Sequence, residues 1–275
     1  MLSISLGPVA LPVAPLLLLG AVWGASWLAS RLASRGPEHE ASAAAGNAVL
    51  HAALFGLLAA RLAHLALEAA AYTASPWSAL DVRDGGWHLP TGVVAGAAWL
   101  LWRGSRWPAL RRPLAIGGVA GMAFWLAASL ATSLGQAKEM PPGVLTALNG
   151  GAQLTLSQAA RGRPVVVNLW ASWCGPCRQE MPMLAAAQQR DSTVGFLFVN
   201  QGESDSAVRS YLTAQGLPLR EVLLDAGSTL GPAVGSRGLP TTLFYDAQGR
   251  QVDAHFGVLN AAALESRLRQ LRTAR

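Results

Sequence analysis

The chain has 275 residues, of which 52% are hydrophobic and only 13% charged. Soluble domains average about 25% charged residues, so a purely soluble globular protein is excluded, and a chain this apolar is not disordered either. The formal net charge of +6 is shared evenly: residues 1–134 hold 8 basic and 5 acidic side chains, residues 135–275 hold 13 and 10. In the first half the charges cluster between long uncharged stretches; in the second they are scattered. The length suggests two domains.

A bilayer core of about 30 Å needs roughly 20 apolar helical residues. Residues 1–30 carry no charge, and Val9 to Ala29 would span. Residues 113–137 are also uncharged, and Leu114 to Leu134 would span. Two weaker candidates lie between them, Ala48 to Tyr72 and Leu89 to Trp102, giving four spans. A cleaved signal would need a basic residue ahead of the first apolar stretch; the first one, Arg31, follows it. The short loops set orientation. Arg31 and Arg35 follow the first span, and Arg103, Arg106, Arg111 and Arg112 follow the third. The loop between spans two and three has Arg83 alone, against Asp81 and Asp84. The basic loops are therefore expected in the cytoplasm and everything after Leu134 outside. Trp77, Trp87, Trp99, Trp102 and Trp107 fall near span ends, as interfacial anchors do.

Arg61, His64 and Glu68 recur at i, i+3 and i+7, on one face of the second span. Ionisable groups in a membrane face a protein interior or a watery cavity. They read either as an internal ion pair or partner-binding face, or as a catalytic or lipid-headgroup site. The segments AARLAH, SPW and DGGWHLPTGVVAG between Ala59 and Trp102 resemble the amino-terminal part of prolipoprotein diacylglyceryl transferase. That resemblance implies a phospholipid-to-lipoprotein transferase scaffold and contact with membrane lipid. The family's His-Gly-Gly segment falls on Pro90, Thr91 and Gly92, and His88 is two positions away. A degenerate relative without the activity is expected.

Met140-Pro141-Pro142-Gly143 and Asn149-Gly150-Gly151 mark a linker over 135–151. Short strands then alternate with helices. Pro164–Trp170 is a continuous β-branched run, hence a buried strand, and Gly175–Arg190 has helical spacing. Val194–Val199 is a second buried strand, Ser204–Gln215 a helix stopped by Gly216, and Glu221–Leu224 a short strand. Thr241–Tyr245 and Gln251–Phe256 form a hairpin across Asp246–Gly249. Ala261–Arg272 is amphipathic, with Leu264, Leu268 and Leu271 on one face. This order gives an α/β sandwich.

The only two cysteines are Cys174 and Cys177, in Trp173-Cys174-Gly175-Pro176-Cys177. The motif follows a buried strand and opens a helix, the setting of a C-x-x-C redox pair. A zinc site would need about four ligands, and no other cysteine exists, so no metal is expected. A structural disulfide over so short a loop would add little stability. At a helix N-terminus the dipole and free N–H groups favour a thiolate. Cys174 is thus the exposed nucleophile, and Cys177, one turn in, the resolving thiol. Pro176 suits the first helical turn.

VVVNLWASWCGPCRQEMPML and GLPTTLFYDAQGR resemble the TlpA/ResA family of membrane-anchored thiol-disulfide oxidoreductases over residues 152–272. The resemblance implies an α/β thioredoxin fold, C-terminal to the four-helix transmembrane region. It implies a cis Pro240, with the Leu239 backbone beside the sulfurs to pair with a client peptide. Trp173, Gly175 and Pro176 would border the same groove. Asn168 stands where thioredoxins carry a buried Asp. Glu180 matches a family glutamate thought to handle the proton of the second cysteine; it also reads as a first-turns glutamate favoured by the helix dipole.

The domains expected are a transmembrane region 1–134, a linker 135–151 and a thioredoxin-like domain 152–275. The expected function is that of a disulfide reductase of exported proteins, for example in cytochrome c maturation. It would sit in a bacterial inner membrane, facing the periplasm. Thiol oxidant or isomerase, and lipoprotein transferase, are the alternatives. No cofactor is expected beyond the Cys174–Cys177 pair. The apolar half lacks cysteine, so a separate membrane electron donor of CcdA or DsbD type is implied. Scattered arginines give no nucleic-acid patch.

Overall fold

A computed structural model describes residues 3–6, 9–34, 40–73, 76–134, 139–148 and 151–273. Arg35, in the first basic loop, lies outside them, as do parts of the expected linker. The chain divides into two compact units. One comprises Val13–Ala69 and Gly86–Leu134; the other comprises Met1–Pro12, Ala70–Gly85 and Gly135–Arg275.

The first unit is helical: α1 (Val13–Ala33), α2 (Glu40–Leu67), α4 (Leu89–Arg106) and α5 (Arg111–Leu134). Small residues face inward. A Cβ added at Gly92 would lie 2.9 Å from the Gly56 carbonyl oxygen, and one at Gly96 would lie 3.2 Å from that of Ala52. Likewise Gly117 and Gly121 meet Ala25, Ala29 and Ala21 of α1. Backbones thus touch along α2/α4 and α1/α5 through small-xxx-small stripes, which is how helices associate where lipid removes the hydrophobic driving force. Large apolar side chains point outward instead, Trp23 at 71% exposure and Leu62 at 66%.

Among the described residues, three segments are long and apolar enough to cross a membrane: Val13–Ala33, Ala41–Leu67 and Pro108–Leu134. The third expected span, Leu89 to Trp102, forms as α4, but its uncharged run ends at Trp102, and Arg103 and Arg106 fall in the last turn. The first span starts at Val13, four residues later than expected. The stretch before it is a hairpin of β1 (Ser3–Leu6) and β2 (Val9–Pro12). The second span starts earlier and ends at Leu67; α3 (Ala69–Tyr72) is a separate turn, followed by 3₁₀ turns at Pro76–Leu80 and Val82–Asp84.

In the second unit, seven strands form one sheet in the order β4-β3-β7-β6-β5-β8-β9. They are β3 (Val144–Ala147), β4 (Gln153–Thr155), β5 (Val165–Trp170), β6 (Gly195–Gln201), β7 (Val222–Asp225), β8 (Thr241–Tyr245) and β9 (Gln251–Phe256). β5, β6 and β7 are parallel, and the outer pairs antiparallel. The helices are α6 (Leu156–Ala160), α7 (Gly175–Arg190), α8 (Asp205–Ala214), α9 (Leu230–Ala233) and α10 (Ala261–Thr273). One face of the sheet, with Val166, Trp170, Phe198 and Phe244, packs on α7, α8 and α10; the other, with Val165, Val167, Leu197 and Tyr245, packs on α6 and α9. Burial on both faces is why β5 reads as an unbroken apolar run. The architecture is that of a thioredoxin fold.

The expected strands and helices from Pro164 to Arg272 form within a residue or two. The linker needs correction: Val144–Ala147 is a sheet strand paired with both β4 and β7. Four residues beside two prolines and a glycine carry too little periodicity to mark it. The short α6 and α9 add to the expected elements; α6 is opened by a capping box between Thr155 and Gln158.

Candidate redox site

β5, an interior strand, ends at Trp170, and α7 begins five residues later. Cys174 is the N-cap of α7: its Sγ accepts from the Cys177 N–H at 3.2 Å. The two cysteines are joined as a disulfide. Cys174 is 5% exposed and Cys177 fully buried. Cys174, expected to be exposed, is thus itself buried in this oxidised form. Trp173, by contrast, is 69% exposed, and Pro176 is exposed beside it. A Cβ on Gly175 would meet nothing within 4 Å, so the backbone between the cysteines borders open space.

The turn before Cys174 is held by a residue the sequence did not single out. Glu203 accepts from the Ser172 N–H at 2.7 Å and from the Ser172 hydroxyl, and Asn200 Nδ2 donates to it at 2.6 Å. It lies 31 residues from Ser172, and no local pattern announces it.

The Leu239–Pro240 bond is cis, as expected. Pro240 is buried, and Leu239 packs against the cluster that contains both cysteines. The segment leads straight into β8, which pairs with β5 and places Thr242 opposite Asn168.

Glu180 lies one turn beyond Cys177 and is 1% exposed. Its Oε2 accepts from the Leu259 N–H at 2.9 Å and its Oε1 from Asn168 Nδ2 at 2.8 Å. Asn168 Nδ2 also donates to Thr242 Oγ1 at 3.0 Å, while Asn168 Oδ1 has no partner among the described residues. Burial pushes the Glu180 carboxyl from its ordinary value near 4.5 up to about 7, against the lowering effect of the Leu259 and Asn168 bonds. A buried carboxyl poised near neutrality can take and return a proton. Leu259 and Asn168 reach it from different parts of the chain, and Thr242 is bonded to Asn168 in turn, so the sequence alone could not assign this environment.

The expected polar face of α2 lies in the helical unit. Arg61 is buried, and its Nη1 donates to the Gly86 carbonyl at 2.9 Å. Its guanidinium lies 5.9 Å from the Trp87 ring centre. A Cβ at Gly86 would come within 2.4 Å of His64 Nε2 and 2.8 Å of Arg61 Nη1, so both side chains close on that glycine. Glu68 stands in the turn after α2. His88 Nδ1 lies 2.7 Å from Thr91 Oγ1, at the start of α4.

Residues 135–271 match the family model described as Redoxin. Among curated proteins, the chain is 33% identical over 113 residues to the thiol:disulfide interchange protein HelX of Rhodobacter capsulatus, covering 41% of this chain and 63% of that protein. It is 29% identical over 136 residues to the thiol-disulfide oxidoreductase ResA of Bacillus thuringiensis, covering 49% and 77%. It is 34% identical over 107 residues to the thiol:disulfide interchange protein DsbE of Pseudomonas fluorescens, covering 38% and 59%. The solved structure of a thioredoxin-family thiol:disulfide interchange protein from Chlorobium tepidum aligns at 24% identity and a TM-score of 0.41, over 50% of this chain and 95% of that one.

Proposed function

The C-terminal half of this chain is a redoxin domain of the thiol-disulfide oxidoreductase type, and from that premise we propose that the protein is a membrane-anchored reductase of disulfides in exported proteins. The observation that carries the reading is Cys174 at the α7 N-cap, joined to Cys177 one turn above the buried Glu180.

The reduced dithiol starts the cycle. The Cys174 thiolate attacks one sulfur of a client disulfide, and the other client sulfur leaves as thiolate. Glu180 takes the proton of Cys177, whose thiolate then attacks the Cys174 sulfur. The client leaves as a dithiol, and the Cys174–Cys177 disulfide remains. Two electrons must then return from outside the chain, because it has no third cysteine. A separate membrane donor of CcdA or DsbD type would supply them. Trp173, Gly175 and Pro176 on one side and Leu239-Pro240 on the other would border an extended client peptide, which pairs with exposed backbone as an added strand does. An apocytochrome c is one client of this kind.

The arginine bias favours a cytoplasmic position for the α1/α2 and α4/α5 loops. The compact unit of the redox domain supports four crossings rather than three. Ser3 Oγ accepts from the Arg237 N–H at 2.8 Å, and Asp84 accepts from Asn260 and Arg267. The segments before α1, between α2 and α4, and after α5 then share one side of the membrane, which requires an even number of crossings. On this reading α4 crosses with α2 as its partner, despite its short uncharged run.

A Cys177→Ser variant of the full chain tests the function. It should accumulate a mixed disulfide through Cys174, released by added dithiol, with the client identified by mass spectrometry. No trapped species in the extracytoplasmic compartment would refute the nucleophile or the topology. A reduction potential near about −120 mV, rather than about −270 mV, would make the protein an oxidant.

A further inference from the structure

Asp84 belongs to the loop between α2 and α4, yet it is fully buried within the compact unit of the redox domain. Tyr72 Oη donates to its Oδ2 at 2.7 Å, and Asn260 Nδ2 donates to the same oxygen at 3.4 Å. Its backbone carbonyl accepts from Arg267 Nη1 at 3.2 Å, and Arg267 Nε is bonded to Asp253 of β9 at 2.8 Å. The next residue, Gly85, has φ +74°. A Cβ there would lie 3.1 Å from Arg267 Nη2 and 3.6 Å from His255 Nδ1. The loop is thus seated closely on the end of β9 and the start of α10.

What lies between is the turn 257–260. On one side Asn260 reaches Asp84, while its Oδ1 accepts from the Ala263 N–H at 2.8 Å and so opens α10. On the other side the adjacent Leu259 gives its N–H to Glu180. Two carboxylates from distant parts of the chain grip one turn, one under the disulfide and one from the membrane-side loop.

We propose that Asp84 is a positioning residue for the redox centre: through Asn260 and Arg267 it fixes the turn that keeps the Leu259 N–H on Glu180. The inference rests on the role of Glu180 proposed above. The loop between two membrane helices then takes part in proton transfer from Cys177 without touching a sulfur. Loosening the turn weakens the Leu259 bond, which favours ionised Glu180. The carboxyl should therefore become harder to ionise, and the step that needs it should move to higher pH.

The test uses the full chain, reduced, in detergent micelles. Ellman's reagent forms Cys174–thionitrobenzoate, and attack by Cys177 on the Cys174 sulfur then releases thionitrobenzoate, followed by stopped flow across pH 5 to 9. Asp84→Ala should shift the rising limb upward by about half a unit, a roughly threefold slower release on that limb. Asp84→Asn keeps an oxygen for Tyr72 and Asn260 and should leave the limb in place. Glu180→Gln should abolish the limb. An unmoved limb in Asp84→Ala, with the limb lost in Glu180→Gln, overturns this inference alone, as does an Asp84→Asn shift equal to that of Asp84→Ala. A limb that survives Glu180→Gln overturns the reading of Glu180 and this inference with it. Should Asp84→Ala fail to fold, Tyr72→Phe removes the 2.7 Å bond to Asp84 and leaves the carboxylate in place; it should give a smaller shift of the same sign, and no shift overturns the proposal.

Discussion

Replacing Glu180 with Gln should make the oxidised protein more stable above neutral pH and change little near pH 4.5. The folded carboxyl is held near 7, against about 4.5 when exposed. The raised value means that the folded state binds the proton more tightly than the unfolded state. Glu180 therefore supports the fold fully below pH 4.5, and the support is lost as pH rises through 7. Each pH unit between them costs about 1.4 kcal/mol, so the loss totals about 3 kcal/mol. Glutamine is neutral throughout and can still accept from Leu259 through its one carbonyl oxygen. The free-energy difference between variant and parent should thus grow by about 3 kcal/mol from pH 4.5 to 8. Hydrogen exchange of β5 and β8 amides reads this in the intact chain, since core amides report the global opening. Parent and Glu180→Gln are compared at matched pH, with the disulfide kept oxidised. Protection in the variant should exceed that of the parent by about two orders of magnitude more at pH 8 than at pH 4.5. A difference that stays flat over that range would refute the buried, near-neutral carboxyl.

His255 should produce the opposite slope. Burial, followed by the charge of Arg267, holds its imidazole down to about 4, so it stays neutral in the fold and stability falls as pH drops from 6.5 towards 4. His255→Gln should remove that acid sensitivity, worth about 3 kcal/mol, in the same exchange measurement. Glu203→Ala frees Ser172 and Asn200 at once. A lost charged acceptor costs about 1–3 kcal/mol, and the Trp173–Cys174 turn should loosen, lowering kcat/KM for a peptide disulfide several-fold in a reductase assay.

The redox centre was legible because its chemistry is local. A β-branched run, two cysteines at i and i+3 and a proline in the first turn say strand, nucleophile and helix within a dozen residues. Leu239-Pro240 was legible only through its resemblance to a family. What surrounds the cysteines was not legible. Glu180 is bonded to Leu259, 79 residues away, and Ser172 to Glu203, 31 away; such partners follow from sheet order, which no spacing encodes. Asp84 read as a loop acid opposing Arg83, and its burial depends on Tyr72, Asn260 and Arg267 together. The first apolar stretch misled in another way. Absence of charge fits a membrane helix and an apolar hairpin equally, and Ser3–Pro12 took the second course.

Asn168 gains meaning from its empty oxygen. Ionised Glu180 needs donors, and the amide supplies both of its N–H groups, one to the carboxylate and one to Thr242. A protonated carboxyl offers a hydrogen instead, and Thr242 can rotate its own. Turning the amide over presents Oδ1 to both as an acceptor, while its two N–H groups turn to the side where Oδ1 had no partner among the described residues. An aspartate at this place would be committed to one charge state of its neighbour. An asparagine is ambidextrous: it can offer Glu180 either a donor or an acceptor, according to which end of its amide faces the carboxyl.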